Sequence, residues 1–102
     1  MEGIELQQEY SKDFCSNFWL NCMTTDHLKI SKLDLQEKFT KNHIDVRSLW
    51  NPLHLQSYLK GTLYFGDNLS ETLFKKGLCL PSSSNLTDEE FDRIAQVFNS
   101  FK

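Results

Sequence analysis

The sequence predicts a small α+β fold, a two-layer sandwich in which helices pack on one face of a sheet of about three short strands. Short strand-like segments alternate with helix-like segments along the chain. Two of the helices begin with the same capping pattern, a hydroxyl side chain followed three positions later by a carboxylate. The 102 residues are 39% hydrophobic and 13% aromatic, which is typical of one globular domain. The order of the strands does not follow from the sequence.

Residues 17–25 are the most strand-like segment of the chain. Successive side chains of a strand point to opposite faces, and here both faces are apolar. One face carries Phe18, Leu20 and Cys22, and the other carries Trp19 and Met23. We expect such a strand to be covered on both sides, or to have lost one cover with a missing part of the protein.

The first helix is predicted over residues 32–42. Ser31 is its N-cap and Asp34 stands at the third helical position, which completes a capping box. Leu35 and Phe39 are four residues apart, so they form an apolar stripe that faces the core.

The second predicted strand, residues 45–49, leads into a corner that contains a proline. Trp50, Pro52 and His54 follow at every second position. Pro52 cannot donate a hydrogen bond to a β-ladder, and it is expected to begin a short turn through about residue 55. The ring-locked backbone makes a rigid corner that can present Arg47, Trp50 and His54 to a partner or ligand.

A second helix over residues 69–76 precedes a short third strand, residues 78–80. Asp67 or Asn68 caps this helix, and Gly77 ends it. Its residues expected to face the core are Leu69 and Leu73.

The last helix begins after Thr87, which is its N-cap, with Glu90 as the partner in a second capping box. It continues to the end of the chain. Its predicted apolar face consists of Phe91, Ile94, Ala95, Phe98 and Phe101.

Charge and composition exclude several classes of function. A net charge of −3 and no basic run longer than a lysine pair argue against a surface for nucleic acid or anionic membrane, and an RNA-binding sheet is disfavoured for the same reason. No stretch approaches the ~20 apolar residues of a membrane-spanning helix, and the first residues do not resemble a secretory leader. We expect a cytoplasmic protein with reduced thiols, two of them buried, and no metal site; the cysteines are Cys15, Cys22 and Cys79.

Several polar residues allow both a structural and a functional interpretation. His27 in a polar connection and His43 at a helix end favour structural roles. His54 is either a ligand-binding imidazole or a loop histidine bonded to the backbone, and Arg47 is either a phosphate contact or a surface ion pair. Residues 82–84 are serines before a helix, which could bind an anion or only cap a turn. No nucleophile with a base, Gly-rich phosphate loop or metal-ligand spacing is recognisable.

Three segments carry a family resemblance. Residues 16–20, Ser-Asn-Phe-Trp-Leu, are similar to Ser-Asn-Arg-Trp-Leu. Residues 47–56, Arg-Ser-Leu-Trp-Asn-Pro-Leu-His-Leu-Gln, are similar to Arg-Pro-Leu-Trp-Lys-Pro-Met-His-Leu-Gln. Residues 77–87, Gly-Leu-Cys-Leu-Pro-Ser-Ser-Ser-Asn-Leu-Thr, are similar to Gly-Leu-Cys-Leu-Pro-Ser-Gly-Ser-Asn-Leu-Thr. The chain from residue 16 to 101 thus resembles the C-terminal domain of the DegT-type sugar aminotransferases, pyridoxal-phosphate enzymes that act on nucleotide-linked keto-sugars.

The chain departs from this pattern at three positions. Phe18 stands where the family has Arg, Asn51 where it has Lys, and Ser83 where it has Gly. The first two departures remove cations that could face the phosphates of a sugar nucleotide, which puts substrate affinity in doubt.

The resemblance implies a truncated or detached small C-terminal domain over residues 16–102, preceded by a lead-in over residues 1–15. The family's Schiff-base lysine, the acidic partner of the pyridinium nitrogen and most of the phosphate site lie in a large N-terminal domain. Pyridoxal chemistry needs these groups. The chain by itself is therefore expected to bind no cofactor and to catalyse no transamination, which in the parent enzyme would serve polysaccharide or cell-surface glycan synthesis. The alternative is a non-enzymatic binding module that reuses the fold.

The same resemblance implies substrate-side roles for Arg47, Trp50 and His54, with no catalytic, cofactor-binding or metal-binding residue in the chain. A severed domain would also keep an uncovered apolar face, which the missing large domain or a second copy in a homodimer would cover. Candidates for this face are Ile4 and Leu6, two residues apart as in a short edge strand, with Trp19, Met23 and Trp50.

Overall fold

A computed structural model describes residues 4–25 and 30–101. In chain order the elements are β1 (Glu5–Leu6), β2 (Asn21–Thr24), α1 (Lys32–Lys41), β3 (Arg47–Ser48), α2 (Leu69–Lys76), β4 (Gly77–Leu80) and α3 (Asp88–Asn99), with short 3-10 turns at Leu53–Leu55 and Ser57–Leu59. The described strands form one antiparallel sheet in the order β1-β2-β4-β3. The predicted α+β class is confirmed, and the lead-in supplies a fourth strand.

The register of the sheet fixes which side chains share a face. Cys22 pairs directly with Cys79, and Arg47 pairs with Cys79 from the other side. Directly opposite residues of antiparallel strands point to the same face, so these three side chains share one face. Met23 and Leu78, also a direct pair, lie on the other.

The hydrophobic core lies between α1, α3 and the sheet face of Met23 and Leu78. Leu35, Phe39 and Leu78 are fully buried, and Met23 is 1% exposed. The Phe39 and Phe98 rings meet edge to face at 5.2 Å, an arrangement that aromatic pairs favour. The buried stripe predicted for the first helix is confirmed. The expectation that Met23 belongs to an uncovered face is wrong, because Met23 points under the helices.

Both predicted capping boxes are present. The Ser31 hydroxyl accepts from the Asp34 backbone N–H, and the Asp34 carboxylate accepts from the Ser31 N–H. Thr87 and Glu90 make the same exchange at the start of α3. Hydrogen bonds from the Thr87 backbone and hydroxyl lower the pKa of Glu90, because they stabilise its charged form.

The first long strand is shorter than predicted. It begins at Asn21 rather than at residue 17, because the Ser16 hydroxyl accepts from the Phe18 N–H at 3.0 Å and the Asn17 carboxamide accepts from the Trp19 N–H at 3.1 Å. Such local side-chain bonds compete with a β-ladder, and Phe18 takes a positive φ of 50°. Trp19 is therefore 73% exposed in a turn, and it does not alternate with Met23 as a strand residue.

The second helix has the predicted bounds and an unexpected orientation. Leu69 and Leu73 were expected to face the core, but they are 59% and 38% exposed, and α2 has no buried residue. Asn68 is the N-cap residue and makes no capping hydrogen bond with its side chain, whereas the Asp67 carboxylate accepts from the Leu69 N–H at 3.2 Å. Gly77 ends the helix in an extended conformation and begins β4, where a Cβ atom would collide with Leu49.

The last helix uses a face slightly rotated from the prediction. Val97 is buried, and Ile94, Phe98 and Phe101 pack against the core. Phe91 is 53% exposed and Ala95 is exposed as well. The buried stripe consists of positions 94, 97, 98 and 101, with the i, i+3, i+4, i+7 spacing of one helical face. Phe91 and Ala95 lie outside this stripe.

The three cysteines have different environments. Cys79 is buried and Cys22 is half-buried, so two thiols are shielded as expected, one of them only in part; Cys15 is exposed. None of the helices in residues 4–25 and 30–101 is both long and apolar enough to cross a bilayer.

Candidate functional site

An open cavity of about 440 Å³ lies beside β3 and β4. Its walls come from three distant parts of the chain, namely residues 16–20, 47–56 and 77–87, together with Asp45. The lining residues are Trp19, Leu20, Asp45, Arg47, Ser48, Trp50, Cys79, Leu80, Pro81 and Ser82. Each segment that carries the family resemblance therefore contributes to one cavity.

The cavity contains one cation, the Arg47 guanidinium, beside the carboxylate of Asp45. The Arg47 Nε and Nη2 atoms donate to one oxygen of Asp45, Oδ2, at 2.9 and 2.8 Å. Both side chains are largely exposed, at 79% and 73%, so solvent screens this ion pair and it stabilises the fold little. A guanidinium carries five N–H donors, which lets Arg47 bind an anion beside Asp45.

Two exposed indoles stand in the cavity wall. Trp19 is 73% exposed and Trp50 is 66% exposed. They are the two tryptophans of the chain. Large flat rings of this kind bind planar or apolar ligand surfaces, so the cavity combines aromatic surfaces with one cation.

The loop after β4 holds the first cavity segment in place. The Ser82 hydroxyl donates to the Trp19 backbone carbonyl at 2.7 Å, and the Ser83 hydroxyl donates to the Asn85 side chain at 2.5 Å. The N-terminus of α3 is closed by its own capping box and carries three acidic residues in the first turn, Asp88, Glu89 and Glu90. This arrangement supports the capped-turn interpretation of the serine triplet and opposes an anion site there.

His54 lies in a different cluster from Arg47 and Trp50. Its Nε2 atom is 3.0 Å from a Glu71 carboxylate oxygen on α2, and its ring stacks on Tyr64 at 3.9 Å and 26°. The His54 side chain is 17% exposed. The structure thus brings two of the three resemblance-derived residues to one cavity, and it fixes the third against α2.

The other candidate residues are remote from this chemistry. His43 is exposed and follows α1 with a positive φ of 57°, just after the helix rather than in its last turn. His27 lies outside the described residues. Within residues 4–25 and 30–101, no group of three or more His, Cys, Asp or Glu side chains could hold a metal ion.

Sequence reasoning did not place Trp19 and Ser82 among the site residues. Trp19 was assigned to a strand face, and Ser82 was considered only with the helix that follows. The signal that could have found them was their membership in the family-like segments that also contain Arg47 and Trp50.

Comparison with known proteins gives three matches. The model of the DegT/DnrJ/EryC1/StrS aminotransferase family matches residues 1–99. EpsN of Bacillus subtilis strain 168, which is described as a pyridoxal phosphate-dependent aminotransferase, is 35% identical over 101 residues. The crystal structure of the aminotransferase TlmJ from Streptoalloteichus hindustanus superposes with a TM-score of 0.82 at 15% identity, which is a likeness of fold.

The matched region is a minor part of each relative. It covers 95% of this chain and 26% of EpsN, and 98% of this chain and 26% of TlmJ. The chain therefore spans about a quarter of the length of both relatives.

Proposed function

Because the chain belongs to the DegT/DnrJ/EryC1/StrS aminotransferase family, we propose that it is the small domain, detached or truncated, of a nucleotide-sugar aminotransferase. In this proposal the parent enzyme is pyridoxal-phosphate dependent and transaminates a keto-sugar for polysaccharide or cell-surface glycan synthesis. The small domain supplies one wall of the substrate site and is inactive by itself. A cytoplasmic location belongs to the same proposal, since the three free thiols suit a reducing compartment.

The convergence of the three family-like segments on one cavity carries the proposal. Residues 16–20, 47–56 and 77–87 are far apart in the sequence, yet together they supply every lining residue except Asp45. A purely structural resemblance would not require these segments to meet at an open surface. Their meeting there supports a binding role for the cavity.

The chemistry of the cavity suits a sugar nucleotide. The indoles of Trp19 and Trp50 can pack against a base or a sugar ring, and the Arg47 guanidinium can bind a phosphate oxygen pair. Their role would be to position the substrate and stabilise its charge. Phe18, which stands where the family has Arg, is 64% exposed and lines the neighbouring depression, so phosphate binding there is expected to be weaker.

His54 keeps a substrate-side role in this proposal by resemblance alone. Its imidazole is engaged with Glu71 and Tyr64. It would therefore act by fixing the corner that carries Trp50, and a substrate could reach it only beside these partners.

The cavity does not fit pyridoxal phosphate. The cofactor needs a lysine amine and a carboxylate for its pyridinium nitrogen. No lysine is among the lining residues, and the carboxylate there, Asp45, already accepts from Arg47. Lys60, Lys75 and Lys76 lie outside the cavity and are exposed. We therefore derive no catalytic step from this chain.

The proposed partner is the large domain of the aminotransferase, with a homodimer as the alternative. Exposed apolar side chains that either partner could cover include Leu6, Trp19, Trp50, Leu69 and Leu73. Monomeric proteins rarely leave large contiguous apolar patches uncovered, which supports a covered face in the working protein.

A domain exchange tests the proposal. The segment of EpsN that this chain matches is replaced by the chain, and transamination of a nucleotide-linked keto-sugar that intact EpsN accepts is measured with added pyridoxal phosphate. We expect activity from the hybrid and none from the chain alone, with a kcat/KM lowered at least tenfold by Arg47→Ala in the hybrid. A folded, cofactor-loaded hybrid without activity would contradict the proposal. Transamination by the isolated chain would contradict it as well.

A binding measurement separates this proposal from the non-enzymatic alternative. The two cavity tryptophans provide an intrinsic fluorescence signal, which can be titrated with UDP-N-acetylglucosamine. Weak binding by the chain that tightens in the hybrid supports the aminotransferase domain. Tight binding by the isolated chain together with an inactive hybrid supports a binding module.

A further inference from the structure

Two thiols face each other across the centre of the sheet. Cys22 on β2 and Cys79 on β4 are a direct register pair, and their sulfur atoms are 3.7 Å apart. Opposite residues of antiparallel strands have Cα atoms about 4.5 to 5.5 Å apart, within the range of about 4.4 to 6.8 Å that disulfides span. A disulfide would therefore require the sulfurs to close to about 2.0 Å, which side-chain rotation can supply while the strands stay paired.

We propose that Cys22 and Cys79 are an oxidisable thiol pair that forms a reversible disulfide within the sheet on exposure to a peroxide. The inference is independent of the proposed function, because it rests on the register and on the distance between the two sulfurs. The site is a modification site for peroxide-class oxidants, with Cys15 outside it as an exposed thiol.

Exposure assigns the order of the two steps. Cys22 is half-buried and Cys79 is 6% exposed, so an oxidant reaches Cys22 first. The Cys22 thiolate attacks one peroxide oxygen and the O–O bond breaks, which leaves a sulfenic acid on Cys22 and one molecule of water after protonation. The Cys79 sulfur then attacks the Cys22 sulfur, the S–O bond breaks, and hydroxide leaves with the thiol proton as a second water. Two thiols thus lose two electrons, which the peroxide gains.

The surroundings of Cys79 keep its thiol protonated and shield it from the oxidant. Burial, with the hydrogen bond and charge of Cys22, raises the pKa of Cys79 to about 11, while the Lys32 ammonium on α1 favours the thiolate. Arg47 on β3 is the register partner of Cys79, and its guanidinium is paired with the Asp45 carboxylate. A thiol that stays protonated is protected from direct oxidation by solvent peroxide. Cys79 therefore persists until the sulfenic acid forms, and it attacks through the thiolate fraction that the Lys32 ammonium favours.

The disulfide would change one wall of the open cavity. Cys79 lines the cavity and is the register partner of Arg47. Pulling the Cys79 sulfur toward Cys22 shifts the side chain of a residue that lines the cavity. Oxidation therefore links β2 and β4 covalently and alters the cavity at the same time.

Peroxide treatment of a Cys15→Ser variant tests the proposal, because this change removes the exposed thiol and its intermolecular disulfides. We expect a mass loss of about 2 Da without dimer formation, a linked peptide pair containing Cys22 and Cys79, and recovery of both thiols with dithiothreitol. Far-UV circular dichroism should stay unchanged. The linkage should form about tenfold faster in the native protein than in urea, because only the fold holds the sulfurs together.

Two outcomes would overturn the proposal. One is a native Cys15→Ser protein in which Cys79 remains alkylatable after peroxide while Cys22 gains oxygen atoms. The other is a linkage that forms at the same rate in urea. A Cys15→Ser, Cys22→Ser variant is the matched control, since it keeps the buried Cys79 and must not lose the 2 Da.

Discussion

The Ser82 hydroxyl donates a hydrogen bond of 2.7 Å to the backbone carbonyl of Trp19. This bond joins the loop after β4 to the turn before β2, two segments of the chain that both line the cavity. The turn places Trp19 in the cavity wall, and Ser82 holds the turn.

We expect Ser82→Ala to lower the free energy of unfolding by about 1 kcal/mol, the usual net value of one hydrogen bond. Trp19 should also gain mobility, because its backbone loses this anchor. Urea unfolding and fluorescence anisotropy of a Trp50→Phe background measure the two effects. Ser84→Ala is the control, as Ser84 is an exposed residue of the same loop; equal losses in both variants would contradict the role given to Ser82.

Replacement of Arg47 should affect binding far more than stability. Its ion pair with Asp45 is largely exposed, so Arg47→Lys is expected to change the free energy of unfolding by less than about 0.5 kcal/mol. A lysine cannot make the bidentate hydrogen bonds to a phosphate that an arginine makes, so the affinity for uridine diphosphate should fall about tenfold. Calorimetric titration checks the affinity.

Asp45→Asn is the matched variant for this prediction. It removes the negative partner of the guanidinium and leaves Arg47 in place. We expect equal or tighter binding of uridine diphosphate. Weaker binding by Asp45→Asn and unchanged binding by Arg47→Lys would together exclude Arg47 as the anion contact.

The cluster of His54, Glu71 and Tyr64 should stabilise the corner after β3. The His54 and Glu71 side chains are only 17% and 25% exposed. Glu71→Gln weakens their 3.0 Å contact and is therefore expected to lower the free energy of unfolding by about 1 kcal/mol. Lys75→Gln removes only the distant 4.0 Å neighbour of Glu71 and should cost less than about 0.5 kcal/mol. A double-mutant cycle of His54→Gln and Glu71→Gln measures the coupling energy between the two side chains. Additive effects of the two changes would contradict this role of the contact.

Gly77→Ala should strongly destabilise the junction of α2 and β4. The added Cβ would collide with the Leu49 side chain and with the Leu73 backbone carbonyl, and overpacking of this kind costs about 1 to 3 kcal/mol. Leu49→Ala in the same chain should restore part of the loss, since only the side-chain collision is relieved. Thermal unfolding of the single and double variants tests this; an unperturbed Gly77→Ala protein would refute the close packing.

Alkaline pH should destabilise the protein through Cys79. Its pKa is raised from 9.0 to about 11 in the folded protein, so the unfolded chain loses this proton at lower pH than the folded one. Stability from the protonated thiol is complete below pH 9 and is lost as the pH rises toward 11. The midpoint of thermal unfolding of the Cys79→Ala variant should fall less between pH 9 and 11 than that of the parent protein. Identical pH profiles of the two proteins would contradict the role given to Cys79.

The parts of the fold that follow local rules could be predicted from the sequence. Ser31 with Asp34 and Thr87 with Glu90 form capping boxes because each pair satisfies its own helix end, whatever the rest of the chain does. The Leu35 and Phe39 stripe follows from the helical period alone.

The parts that depend on competition or tertiary placement could not be predicted. The turn at Phe18 arises because hydrogen bonds to Ser16 and Asn17 outweigh an apolar alternation that is otherwise typical of a strand. The site was recognised in part: Arg47 and Trp50 meet in the cavity, whereas His54 turns to Glu71, a partner 17 residues away that no local pattern indicates.

The strand order has a consequence for growth of the sheet by other chains. Its two outer strands, β1 and β3, are each two residues long, while the inner strands β2 and β4 have four. A foreign strand docking at either edge could form only a few backbone hydrogen bonds before the template ends. Short edges of this kind protect proteins against edge-to-edge aggregation and fibril growth, so this sheet offers a foreign strand little to pair with.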